Sequence, residues 1–257
     1  MDEPGLAVPV QSVGDPLVSE VTLTFESFIL PTAEALANEQ ELREGFAKEF
    51  GPAVKLALDD PEVRFSLVPG GSIIVGGQRV TIQRVSQKGD WINANVRGTS
   101  DAARQVVQTV VKVLDRVGSV NREWDYYEKH VVRTSFGTAT TVRLPGTLRD
   151  MLAPAVDGLF SDVVEERLAS RMVPRRTHGM AKPAFARVLV HGIECQVLVA
   201  EESGTSNKYK LEFHHMSSED LAAGTCYVIS ELDYDGHMEL VDHLLATFSA
   251  SDDLPGS

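Results

Sequence analysis

Apolar and polar positions alternate at the start of the ordered pattern. Val21, Leu23 and Phe25 interleave with Glu20, Thr22 and Thr24, which predicts a strand over Val18 to Phe25. The period then lengthens. Leu36, Leu42, Phe46 and Phe50 form a rough helical stripe after Pro31-Thr32. Short strands are predicted at Glu62–Leu67 and Ser72–Val75, with Gly76-Gly77 as a hairpin turn into Arg79–Val85. Lys88-Gly89-Asp90 turns the chain into a further strand, Trp91–Arg97. Thr99-Ser100-Asp101 opens the clearest helix, combining cap hydroxyls with a first-turn carboxylate. Val106, Val107, Val110, Val111, Val113, Leu114 and Val117 line it, and Gly118 is expected to end it as a left-handed glycine.

The order of elements then recurs. His130–Phe136 reads as a strand, extendable to Arg143. Pro145-Gly146 precedes a helix carrying Leu148, Met151, Leu152, Ala155, Val156, Leu159 and Phe160. Phe185–Val190, Ile193–Ala200, Lys208–His214 and Cys226–Leu232 read as strands, with turns at His191-Gly192 and between Gly204 and Asn207. Asp235 is placed as the cap of a last helix carrying Met238, Val241, Leu244, Leu245 and Phe248. The expected class is α+β: two similar halves, each an antiparallel sheet with two helices on one face. The divisions are a loose arm at 1–17, units at 18–118 and 130–249, a connection at 119–129, and a frayed tail at 250–257.

Three stretches carry a resemblance. These are Pro16-Leu17-Val18-Ser19-Glu20-Val21, the run Val131–Asp150 with its Arg-Leu-Pro-Gly, and Leu232-Asp233-Tyr234-Asp235. In them the chain resembles a sporadically distributed family of uncharacterised bacterial proteins of about this length. The resemblance implies a similar element order and no particular activity.

Composition narrows the function classes. The chain has 257 residues, 43% hydrophobic, and a formal net charge of −13. That charge opposes general nucleic-acid binding and fits a protein partner with a basic surface. Cys195 and Cys226 are the two cysteines, too few for a disulfide framework, and they read as buried free thiols. The first residues are acidic and lack a long apolar run, and no stretch is long enough to span a bilayer. A cytoplasmic location is expected.

Three residue sets invite chemistry. Near the C-terminus, Glu212, His214, His215, Asp233, Asp235 and His237 include groups that bind metals or move protons. Strand alternation puts Glu212 and His214 on one face and His215 on the other. Asp235 reads better as a cap and Asp233 as a strand-end charge, so Glu212, His214 and Asp233 remain weak metal candidates. The second set is Arg171, Arg175, Arg176, His178 and Lys182, a local positive cluster suited to phosphate or carboxylate. The simpler reading of it is a solvated interdomain connection. The third is a polar sheet face. Arg79, Thr81 and Gln83 alternate with Val80 and Ile82, and Trp91, Asn93, Asn95 and Arg97 alternate with Ile92, Ala94 and Val96. Neighbouring strands would join these as a contact surface, because Trp and Arg anchor interfaces.

No GxSxG elbow or metalloprotease spacing is present, and no cofactor is expected. The leading reading is a non-enzymatic regulatory or chaperone-like module that contacts another protein through an exposed sheet face or edge. Open edges also invite pairing with a second copy. The alternatives are a metal-assisted hydrolase using the C-terminal histidines and acids, and an anion binder using 171–182.

Overall fold

The computed structural model describes residues 18–60, 62–68, 71–143, 192–200, 206–214, 220 and 223–250. Its strands are β1 (Val18–Phe25), β2 (Lys55–Ala57), β3 (Phe65–Val68), β4 (Gly71–Val75), β5 (Gln78–Lys88), β6 (Trp91–Arg97), β7 (Val131–Arg143), β8 (Gly192–Ala200), β9 (Ser206–His214) and β10 (Thr225–Ser230). The helices are α1 (Thr32–Ala37), α2 (Glu39–Phe50), α3 (Ser100–Val117), α4 (Trp124–Glu128) and α5 (Tyr234–Ala250).

All described strands belong to one sheet with the order β2-β3-β5-β6-β1-β7-β10-β9-β8, and β4 pairs with β5 beyond β3. Every pairing is antiparallel. The class is therefore α+β and mostly sheet. A single sheet replaces the two expected, because β1 and β7 pair along almost their whole length, from Val18↔Ala139 to Phe25↔Val131. Strand β2 was not read from the sequence: three residues are too few to show a period of two.

The main core lies between the sheet and α1–α3. Val21, Leu23 and Phe25 of β1, Ile92, Ala94 and Val96 of β6, and the apolar stripe of α3 are all buried. Six residues of that stripe are valines with low helix propensity, so burial rather than intrinsic preference holds α3 together. Thr99 caps it, its Oγ1 accepting from Ala102 N at 3.2 Å. Gly118 ends it in an ordinary right-handed conformation, and Ser119 takes the left-handed one (φ 56°). The glycine is needed for space instead: a Cβ there would meet Leu114 O at 3.0 Å and Pro31 Cβ at 3.2 Å.

The single helix expected after Pro31 is broken at Asn38, whose φ of −112° and ψ of 54° are not helical. Asparagine competes with the helix for backbone partners, and its Nδ2 donates to Glu34 O at 3.4 Å. The expected 119–129 connection contains α4. Its Tyr127 is buried in the main core and donates to Asp115 Oδ1 of α3 at 2.5 Å. A second cluster is built from Val142, Cys226, Val228 and Val241, with Leu211 and Phe213 packed against it.

Candidate functional site

The register places one row of side chains after another on the sheet face opposite the cores. Lys88 faces Trp91, Trp91 faces Thr24, and Thr24 faces Arg133. The next row runs Ser86, Asn93, Thr22 and Ser135, and the third Arg84, Asn95, Glu20 and Gly137. Beyond it Thr81 lies opposite Arg97, and Arg143 opposite Thr225. The buried neighbours of these residues point toward α3, whose packing is on β1 and β6, and α5 seats its buried His237 on the same side. Among the described residues, the helices with defined packing thus lie on one side of the sheet.

This face gathers the predicted Trp91, Asn93, Asn95 and Arg97. Asn93 is held in place, its Nδ2 donating to Glu20 Oε1 at 2.6 Å and to Thr22 Oγ1 at 2.8 Å. The Oδ1 of Asn95 is buried and has no hydrogen-bond partner. Gln83 departs from the expected alternation. The register shifts between Ile82 and Arg84, so Gln83 is the extra residue of a β-bulge and Arg84 takes its place opposite Asn95. The cause is visible in the apolar spacing: Val80 and Ile82 are buried at even positions, Val85 at an odd one.

Charge on this face runs against the chain's balance. Arg79, Arg84, Arg97, Arg133 and Arg143 are all exposed there, and none makes an ion pair or hydrogen bond with a described residue. By contrast, Arg43, Arg104 and Arg116 on the helices pair with Glu39, Glu128 and Glu49. The helices α1–α5 carry twelve carboxylates against five cations, which puts much of the −13 on the helical side. Among the described residues, the acidity that suggested a basic partner therefore lies mainly on the helices. At the β4–β5 end a cavity of about 680 Å³ is lined in part by Gln78, Arg79, Thr81, Arg97, Thr99 and Tyr234.

The metal candidates are divided. Glu212 and His214 lie on the same face of β9, with 3.9 Å between His214 Nδ1 and Glu212 Oε2. Glu212 is also paired with Lys210, and the His214 ring stacks on Tyr227 at 6.0 Å. Asp233 has a different task. Its Oδ1 accepts from Gly236 N at 2.9 Å and caps α5, the role expected of Asp235, which sits one residue inside the helix. The cap and the helix start lie two residues earlier than the sequence suggested. Among the described residues no three His, Cys, Asp or Glu side chains are grouped to hold a metal ion. The candidates Arg171, Arg175, Arg176, His178, Lys182 and His215 lie outside the described residues.

His237 is fully buried, with Thr140 Oγ1 2.8 Å from Nε2 and Ser230 Oγ 2.8 Å from Nδ1. Burial pushes its pKa down to about 4. The ring is neutral and satisfied by two hydroxyls, which is a structural role. Sequence reading grouped it with the acids because it lies near them in the chain. Burial also pushes the free Cys226 thiol up to about 12. Tyr127 was missed; burial first and then its bond to Asp115 raise its pKa. No described helix is long and apolar enough to cross a membrane. No protein-family model matches this sequence, and no curated protein matches it.

Proposed function

We propose that this chain is a non-enzymatic, cytoplasmic binding module that engages another protein through the sheet face opposite its helices. The observation that carries this reading is the assembly of Trp91, Asn93, Asn95, Arg84 and Arg97 on adjacent rows of that face. Interfaces favour such groups: an aromatic and arginines as anchors, with amides for hydrogen bonds. Asn93, fixed by Glu20 and Thr22, is organised before any partner arrives, which lowers the entropy cost of binding. We also read the two halves as copies of one unit. In support, β1 and β7 each pair with the last strand of their own half, β6 and β10, and with each other.

The test is site-specific photo-crosslinking in cells that express the protein. A crosslinking residue is placed at Thr22 or Ser135 on the face, or at exposed Lys112 on the helices. The expected result is a discrete protein adduct from the face positions and none from Lys112. Adducts from all positions alike, or from none, would overturn the reading.

A further inference from the structure

The sign of charge on the same face selects a partner. We infer that the face opposite the described helices docks an acidic polypeptide segment, held by carboxylate contacts to Arg84, Arg97 and Arg79 and extended across the sheet toward Arg133. This rests on the reading of the face as a docking surface and adds the chemistry of its occupant.

The three arginines of β5 and β6 form a diagonal. Thr81 lies opposite Arg97, Arg79 is two residues from Thr81 on β5, and Arg84 follows the bulge, opposite Asn95. Diagonal neighbours of this kind lie roughly 7–8 Å apart at the backbone, within reach of long side chains. The bulge creates this set. Had the alternation run on regularly through Gln83 with no bulge, the β5 positions beyond it would lie on the other face, and Arg84 would point into the core side. A guanidinium is a planar fork of donors that matches a carboxylate, and these have no acid of their own to satisfy them among the described residues. The other described helical arginines show that this chain supplies such acids where they are wanted: Glu39, Glu49 and Glu128 each meet one.

Two features favour a polypeptide over a nucleic acid. Glu20 sits in the middle of the face, between Asn95 and Gly137, where a continuous line of phosphates would meet a carboxylate. The aromatic groups are also few: Trp91 stands at one margin, and Tyr227 is already stacked on His214. Single-stranded nucleic acid is held by successive exposed aromatic platforms. Between the arginines stand Asn, Ser and Thr side chains, which suit the amides of a peptide. The −13 of the whole chain weakens a local acidic contact little, because charges beyond about 8 Å are screened at physiological salt.

The experiment measures binding of a fluorescent oligoglutamate peptide by anisotropy at low and physiological salt, beside an oligothymidylate of equal charge. Proteins are wild type, Arg84→Glu/Arg97→Glu, and the helix-side control Arg43→Glu/Arg104→Glu, each checked for folding by circular dichroism. The expected result is salt-dependent binding of oligoglutamate that falls about tenfold or more in the face variant and stays unchanged in the control. If the face variant does not fold, Arg84→Gln/Arg97→Gln is read instead and should fall in the same direction. Equal affinity in wild type and face variant overturns the inference, as does tighter binding of oligothymidylate than of oligoglutamate. A sedimentation shift of wild type alone that vanishes in the face variant, with no peptide binding, assigns the face to a second copy and also overturns it. The crosslinks of the preceding section separate the two proposals. Adducts at Thr22 or Ser135 that oligoglutamate does not displace leave the docking face standing and remove its acidic occupant; absence of adducts removes both.

Discussion

His237 makes the stability of the second cluster depend on pH in a calculable way. Its ring is fully buried against α5, β7 and β10, and only the hydroxyls of Thr140 and Ser230 bond to it. Among the described residues no charged side chain hydrogen-bonds to the imidazole. A neutral ring is satisfied by this pair, since one nitrogen donates and the other accepts, and Leu232 N donating to Ser230 Oγ at 3.4 Å leaves that hydroxyl free to donate onward. A protonated ring gains no compensating carboxylate, so its charge is held in a medium that solvates it poorly. The folded pKa is about 4, against 6.5 for the free side chain. Between those values the unfolded chain holds more protons than the folded one. The contribution is therefore complete above pH 6.5 and is lost as pH falls toward 4. At about 1.4 kcal/mol per tenfold change in proton affinity, the loss is roughly 3 kcal/mol. The assay is urea unfolding across this range in wild type and His237→Asn. Circular dichroism is the appropriate probe, because Trp124 packs against the first core and Trp91 stands on the polar face of β6, so neither reports the second cluster. The asparagine leaves a cavity and lowers stability at every pH, while the many carboxylates titrate alike in both proteins. Their difference isolates the histidine: the gap should be widest near neutrality and shrink by roughly 3 kcal/mol toward pH 4. A gap constant with pH would refute the reasoning, as would a ring titration by NMR with a midpoint near that of free histidine.

Thr99→Ala removes the cap of α3 and should destabilise the chain by about 1 kcal/mol in urea unfolding, with Thr99→Ser restoring most of it. Tyr127→Phe should cost roughly 1–3 kcal/mol, because buried Asp115 then keeps only the Arg122 N–H bonds; a double-mutant cycle with Asp115→Asn should show coupling, and additive effects would count against the contact. In a Cys195→Ser background, the buried Cys226 thiol should resist a disulfide reagent at mildly alkaline pH and react on denaturation. Rapid labelling of the folded protein would show that the thiol is neither buried nor protonated as described.

Much of the polar face was legible in the chain. Strand β6 and its alternation of Trp91, Asn93 and Asn95 with Ile92, Ala94 and Val96 were read as they stand, because a period of two is a local signal. The bulge was not read, although the change in parity between Ile82 and Val85 recorded it. A bulge is defined by its partner strand, and no partner is visible from one strand alone. The role of Asp233 was not read for a related reason: it lies near Glu212 and His214 in number, and only the start of α5 shows that its Oδ1 caps that helix.

The sequence by itself determined the local elements: the β1 alternation, the Gly76-Gly77 hairpin with both glycines at positive φ, and the capped valine-rich α3. Each rests on neighbours within a turn or two, where sterics and hydrogen bonding act directly. Tertiary structure alone decided that β1 meets β7, that Tyr127 reaches back to Asp115, and that five arginines with no acidic partner among the described residues share one face of an acidic protein. Those outcomes depend on closing long loops between distant segments, and the free energy that selects them comes from contacts no single stretch of chain contains.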